Sequence, residues 1–175
     1  MSGRKHMNEA AMLLITAGAM MLFSLKQTYL DSIIGAFTLS EFAEWARYSG
    51  VMGPGWAYIG CVAGICVFLG DGLEMLILPR ITAWHPSLKK TTDPAERKKL
   101  VLGQVKGKFV LILMVAGVVV WLFISAKNGI SDPYNLADYS SGFYMAIGGA
   151  VVGLCGALTG LLKKDDIADE LLELY

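Results

Sequence analysis

The sequence predicts an all-α membrane protein of four transmembrane helices, with both termini on the cytoplasmic side. Three observations carry that prediction. Of 175 residues, 55% are hydrophobic and 17% charged, and the mean hydropathy is +0.53. A soluble domain of this size is rarely so apolar. Four apolar runs fall at 9–25, 52–78, 109–126 and 142–162, each close to the roughly 20 residues a helix needs to cross a bilayer. The cations are also unevenly placed. All the Lys and Arg residues except Lys26, Arg47 and Lys127 lie in the N-terminus, between 80 and 108, or at 163–164. By the positive-inside rule those segments are cytoplasmic. Residues 1–175 are therefore expected to form a single polytopic unit, in a bacterial inner membrane, with no room for a second globular domain.

Several function classes recede on composition alone. The net charge is zero, so the chain has no overall basic footprint and no direct nucleic-acid binding is expected. The cysteines, Cys61, Cys66 and Cys155, all fall in apolar runs and make no CxxC pair. They offer neither a disulfide framework nor zinc spacing and read as small packing residues. His6 and His85 are the only histidines. No nucleophile–base constellation, metal set or cofactor fingerprint stands out, so neither enzyme activity nor a cofactor is expected. The run Gly103 to Lys108 resembles a phosphate loop only superficially: the glycine spacing is short and no Ser or Thr follows the lysine.

In chain order, the run at 9–25 follows a short basic start. It shares that form with a signal peptide, but no small-residue cleavage site follows, so it is expected to remain as the first span. The loop at 26–50 is amphipathic. Leu30, Ile33, Ile34 and Phe37 fit one helical face. Thr38 followed by Glu41 has capping-box spacing and predicts a second short helix carrying Phe42 and Trp45. Tyr29, Trp45 and Tyr48 suit the depth of a membrane interface; an extramembrane cap over the bundle is the alternative.

The second span begins at the Gly53-Pro54-Gly55 break, with Pro54 in the first turn. It is longer than a span requires. It is expected either to tilt or project as one helix, or to break at Gly70-Asp71-Gly72. The polar segment at 81–107 is basic, and Asp93-Pro94 predicts the start of a short helix over 95–105 that leads into the third span. Together these form a basic cytoplasmic hairpin. The third span is β-branched and bulky, as a lipid-facing helix is. Asn128-Gly129 and Asp132-Pro133 signal turns before the fourth. Lys163-Lys164 ends the fourth, and an acidic amphipathic tail occupies 163–175.

Three features are candidates for function. Gly53, Ala57, Gly60 and Gly64 share one face of the second span. Ala146, Gly149, Gly153, Gly156 and Gly160 line the fourth. Side-chain-poor faces let helices approach closely. These two either pack on each other within the monomer or receive another membrane subunit or a second copy. Asp71 and Glu74 continue the first of these faces. Carboxylates in a membrane mark an ion path or a partner charge. They are read either as a proton or ion site or, more economically, as interfacial acids paired with Arg80, Lys106 or Lys108. Finally, the cations Lys89, Lys90, Arg97, Lys98 and Lys99, and the tail face of Ile167, Leu171 and Leu174, form a cytoplasmic interaction surface. It docks either a partner or itself.

Size and layout resemble those of small polytopic subunits of bacterial envelope machines, secretion and conjugation apparatus among them. The likeness is one of shape and carries no residue across. The expected function is thus a non-enzymatic assembly subunit embedded in the bilayer. The alternatives are a small transporter or channel built on Asp71 and Glu74, and an immunity or exclusion protein.

Overall fold

A computed structural model of the chain describes residues 4–32, 35–77, 91, 93–128 and 137–173. Most of them are helical, and four helices are long and apolar enough to cross a membrane. These are α1 (Lys5–Ser24), α3 (Gly53–Ile77), α4 (Pro94–Asn128) and α5 (Ser141–Leu162). A short α2 (Leu39–Tyr48) precedes α3, and α6 (Lys164–Leu172) follows α5. The chain is a multi-pass membrane protein. Its outward surface fits that reading: Leu111, Met114, Val118 and Trp121 form an exposed apolar stripe along α4, which in a bilayer meets lipid.

The four long helices form a ring in the order α1, α3, α4, α5, each packing on its two neighbours. α1 packs on both α3 and α5. Its side toward them is made of Ala10, Ala11, Leu14, Ala17 and Met21, all fully buried. Small residues at three- and four-residue intervals bring the backbones together. A β-carbon on Gly72 of α3 would lie 3.0 Å from the Ala11 carbonyl oxygen. One on Gly149 of α5 would lie 2.8 Å from that of Ala17.

The two glycine faces therefore do not pack on each other, as one expectation had it. α3 and α5 lie across the ring and barely meet. Each face is filled by its ring neighbours instead. Gly60 receives Leu122 of α4, and Gly53 lies against Ala126. Gly64 receives Met21 of α1, which also reaches Gly149. Gly156 takes Leu13 and Leu14 of α1, and Gly160 takes the Phe109 ring of α4. The diagonal is bridged at Gly153, where the Phe68 ring of α3 enters 2.6 Å from a would-be β-carbon. Ala57 and Ala146 are fully buried in the same packing.

Two expectations about elements are corrected. The segment after α1 is not helical. β1 (Thr28–Ser32) pairs antiparallel with β2 (Gly35–Thr38) and with β3 (Ala137–Tyr139), giving a three-stranded sheet in the order β2-β1-β3. Aromatic and β-branched residues favour this pleat. Gly35 takes φ +140°, a backbone conformation that suits glycine, and its carbonyl accepts from Ser32 Oγ at 3.0 Å. Leu30 and Phe37 are cross-strand partners rather than members of one helical face, and Ile33 and Ile34 lie outside the described residues. Second, α4 does not begin near 109: the short basic helix and the third span are one continuous helix of 35 residues. At 1.5 Å per residue it is roughly 50 Å long, against a hydrocarbon core of roughly 30 Å. Of the two readings of the second span, the single helix holds: α3 runs unbroken through Gly70-Asp71-Gly72 to Ile77. The loop turns at 129 and 132–133 lie outside the described residues.

Local chemistry fixes the short helix α2 at both ends. Thr38 Oγ1 accepts from the Glu41 amide, and the Glu41 carboxylate accepts from the Thr38 amide at 2.8 Å, a reciprocal cap. The Thr38 amide, and then the Thr38 hydroxyl, which donates to the same carboxylate at 2.8 Å, hold the Glu41 carboxyl below its ordinary range. At the other end Gly50 adopts φ +75°, with Gly50 N donating to Arg47 O and Val51 N to Ala46 O. That is the Schellman arrangement, which leaves the chain turned into α3. The sheet is anchored by Tyr29, 1% exposed, whose ring lies 5.5–6.2 Å from those of Phe42, Phe123, Tyr139 and Phe143. Gly142 opens α5 beneath it, where a β-carbon would lie 2.8 Å from the Thr28 carbonyl oxygen.

The close approaches give a paired test. Gly149→Ala and Gly142→Ala each force a methyl onto a backbone oxygen and are expected to cost about 1–3 kcal/mol. Gly70→Ala and Gly103→Ala meet open space, and should be neutral or gain up to about 1 kcal/mol from helix propensity. Thermal unfolding of the four variants in detergent separates them. Equal midpoints for Gly149→Ala and Gly103→Ala would refute the packing.

Candidate functional site

The polar groups that carry candidate chemistry gather at one end of the ring. There α1 and α4 begin, α3 and α5 end, and α6 folds across. Arg4, Lys5, Arg97, Lys98, Lys99, Lys106, Lys108, Lys163 and Lys164 lie at this end; Lys26, Arg47 and Lys127 lie at the other.

Asp71 and Glu74 stand one turn apart on α3 and face α4. Lys108 is the last polar residue of α4 before the apolar run that begins at Phe109. Its Nζ lies 3.0 Å from Asp71 Oδ1 and 2.7 Å from Glu74 Oε2. The three side chains are 24%, 29% and 14% exposed, so the cluster is half-buried at the margin of the apolar zone. Of the cations considered as partners, Lys108 binds both carboxylates; Lys106 is exposed on α4, and Arg80 lies outside the described residues. The ammonium relieves the repulsion that two carboxylates one turn apart would otherwise feel. Its long aliphatic stem lets it reach them from the edge of the apolar run. What this arrangement does chemically is cross-link α3 to α4 and fix their register.

A second carboxylate site was not foreseen. Glu170 of α6 is 9% exposed. Its Oε1 accepts from the His6 amide and its Oε2 from the Met7 amide, both at 2.9 Å. The first-turn amides of a helix lack intrahelical partners, and the N-terminus is the positive end of the helix dipole. Glu170 therefore caps α1 from 163 residues further along the chain. The signal was present in the spacing: Glu170 falls on the same side of α6 as Ile167 and Leu171, not among the outward acids. Ile167 and Leu171 are buried, 2% and 4% exposed, against the chain's own bundle. Asp169 pairs with Lys98 of α4 at 2.7 Å. The tail is thus docked on its own chain. Arg97 is half-buried and Lys99 exposed on α4; Lys89, Lys90 and Leu174 lie outside the described residues. Among the described residues no group of three or more His, Cys, Asp or Glu side chains could hold a metal ion.

The chain matches no family model, no curated protein and no solved structure.

Two outcomes test these ties. Lys108→Met removes the ammonium both carboxylates share. It should lower stability by about 1–3 kcal/mol, less than a fully buried pair would lose. The combination Asp71→Asn, Glu74→Gln, Lys108→Gln should recover most of that loss in thermal unfolding, since no charge is left stranded. A Lys108→Met protein as stable as the parent would mean the cluster ties nothing. For the tail, Glu170→Ala deletes two charge-assisted bonds of about 1.5–3 kcal/mol each. Hydrogen exchange at His6 and Met7 should then speed up by about tenfold or more, while α5 is unaffected. Unchanged exchange there would mean that the cap does not form in solution.

Proposed function

We propose that the chain is a non-enzymatic membrane subunit of a larger bacterial envelope assembly, of the secretion or conjugation kind. Its basic end, with both termini, faces the cytoplasm. The observation that supports this reading is the polar arm of α4. Residues 94–108 continue the membrane helix without a break, extending roughly 20 Å beyond the apolar run, and carry Lys98, Lys99 and Lys106. An isolated helix of that length is marginal in water. Here α6 braces it through Lys98–Asp169 and the buried Ile167 and Leu171. A rigid, charged arm set at a fixed angle to the membrane suits docking to a partner. The glycine faces supply its internal packing, so partners in the assembly meet the arm and the outward helix faces. The Asp71–Glu74–Lys108 cluster supports a structural use of those acids.

The experiment is to extract the tagged chain gently into nanodiscs, weigh the particle, and identify what accompanies it. Other proteins in fixed ratio are expected. Lys99→Glu with Lys106→Glu, both exposed, should reduce their recovery by about tenfold without changing the unfolding midpoint. Tenfold corresponds to the loss of a few rim charge contacts. A clean monomer or small homo-oligomer would overturn the proposal. Ion flux sensitive to Asp71→Asn and Glu74→Gln would then put a transporter in its place.

A further inference from the structure

At the end of the ring opposite the basic arm, α2 and the first turns of α3 leave an open groove of about 820 Å³. Its floor and walls include Glu44, Arg47, Tyr48, Trp56, Tyr58 and Ile59. Tyr48, Trp56 and Ile59 are 84%, 53% and 55% exposed, a large aromatic and aliphatic surface left open at one place. The groove is not simply apolar. Glu44 and Arg47 stand one turn apart on α2 and point out of the bundle, and neither forms an ion pair with any described residue. One turn is the separation at which such a pair ordinarily engages itself.

We propose that this groove binds one phospholipid with a zwitterionic, primary-amine headgroup, of the phosphatidylethanolamine class. The position fits. Trp and Tyr gather where the headgroups of a bilayer lie, and α2 is an amphipathic helix beside a membrane span, the form that rests in that plane. The charges fit as well. The Arg47 guanidinium presents a fork of donors to a phosphate, and Tyr48 and Tyr58, which line the same groove, carry hydroxyl donors as well. Glu44 is an acceptor only and calls for a cation that donates. A primary ammonium two carbons from its phosphate supplies one. A quaternary choline has no N–H to give, and a glycerol headgroup has no positive charge. Trp56 and Ile59 then lie where an acyl chain leaves the headgroup and runs down the outer face of α3. The charged groups sit on α2 and the apolar ones in the first turns of α3, which runs from there into the bundle, so headgroup and acyl chain can each meet their own kind of side chain.

This inference stands apart from the assembly role, because it concerns the opposite end and needs no protein partner. It is tested by native mass spectrometry of the full chain released from nanodiscs with equal amounts of phosphatidylethanolamine, phosphatidylcholine and phosphatidylglycerol. One phosphatidylethanolamine should stay bound. Glu44→Gln and Arg47→Gln should each reduce its retention by about tenfold, the scale of one lost charge-assisted hydrogen bond. Lys26→Gln, at the same end but outside the groove, should leave it unchanged. Unfolding midpoints establish that each variant folds. Four results would overturn the proposal. They are retention of phosphatidylglycerol as well as phosphatidylethanolamine, equal retention of phosphatidylcholine, no retained lipid, and a dimer that Trp56→Ala dissolves.

Discussion

Lipid tails are as apolar as the side chains they surround, so hydrophobicity does not hold these four helices together once they are in a bilayer. What remains is contact area, and contact area depends on how closely the backbones approach. α1 sets that distance. Its small residues meet Gly72 of α3 on one side and Gly149 of α5 on the other, near enough that a single methyl would strike a carbonyl oxygen. The rest of the ring is placed by this. With α3 and α5 drawn onto α1, the far sides of both are left for α4, whose larger side chains Phe109 and Leu122 drop over Gly160 and Gly60. Both kinds of contact recur around the ring: backbones approach at Ala11–Gly72, Ala17–Gly149 and Ala126–Gly53, and large side chains drop over glycines at Met21–Gly64, Leu14–Gly156, Leu122–Gly60 and Phe109–Gly160. Phe68, reaching across to Gly153, fills what would otherwise be a gap along the ring's axis.

The two ends of the ring are closed by different chemistry. All the ion pairs among the described residues lie at the basic end, from His6–Glu9 to Lys164–Asp165. The aromatic ring contacts lie at the other end, gathered around Tyr29, Phe143 and Phe42, with Lys127 over the Tyr139 and Phe143 rings. The division follows from what each end has to satisfy. At the basic end α1 begins with unpartnered amides, and α4 runs on past the ends of α3 and α5. Charged groups answer both needs, through Glu170 and through Lys98–Asp169. At the other end the chain must turn back between spans within a short length. There a small sheet pairs its own backbone groups, and rings cover it. Burial follows: it pushes the Tyr139 hydroxyl up to about 12 and the Tyr29 hydroxyl higher still, so both stay neutral and act as apolar bodies.

The spans were legible because length and hydropathy are properties of a segment by itself. So were the capping box at Thr38 and Glu41 and the helix start at Asp93-Pro94, which are local signals: Asp93 Oδ1 accepts from the Ala95 amide at 3.2 Å. Lys108 could be named among three candidate partners for Asp71 and Glu74 because a lysine stem can span neighbouring helices. What could not be read was anything that depends on which helix stands beside which. Periodicity shows that Gly60 and Gly149 belong to small faces, but not that Leu122 and Met21 fill them. The hairpin was misread because four apolar residues at 30, 33, 34 and 37 fit a helix period, while the pairing with residues 137–139 is more than a hundred positions away. The continuity of α4 through Gly103 and Gly107 was missed for a related reason. Glycine costs a helix about 1 kcal/mol at each position, and the bracing that offsets it comes from the tail.

That bracing bears on what the molecule is for. A membrane helix needs only enough polar residues past the headgroups to end cleanly, yet α4 continues for several turns and the chain spends a further helix to hold it. Glu170 places one end of that brace on the start of α1, and Asp169 places the other on α4. Force applied to the arm is therefore transmitted to the first span as well as the third. Directly below, Lys108 ties the arm to α3 through Asp71 and Glu74. The polar arm is thus joined to all four spans, to the fourth because α6 continues directly from α5, and the small residues around α1 join the spans to each other. The docking role proposed for the arm would draw on this coupling, because a load on the arm would reach the spans together.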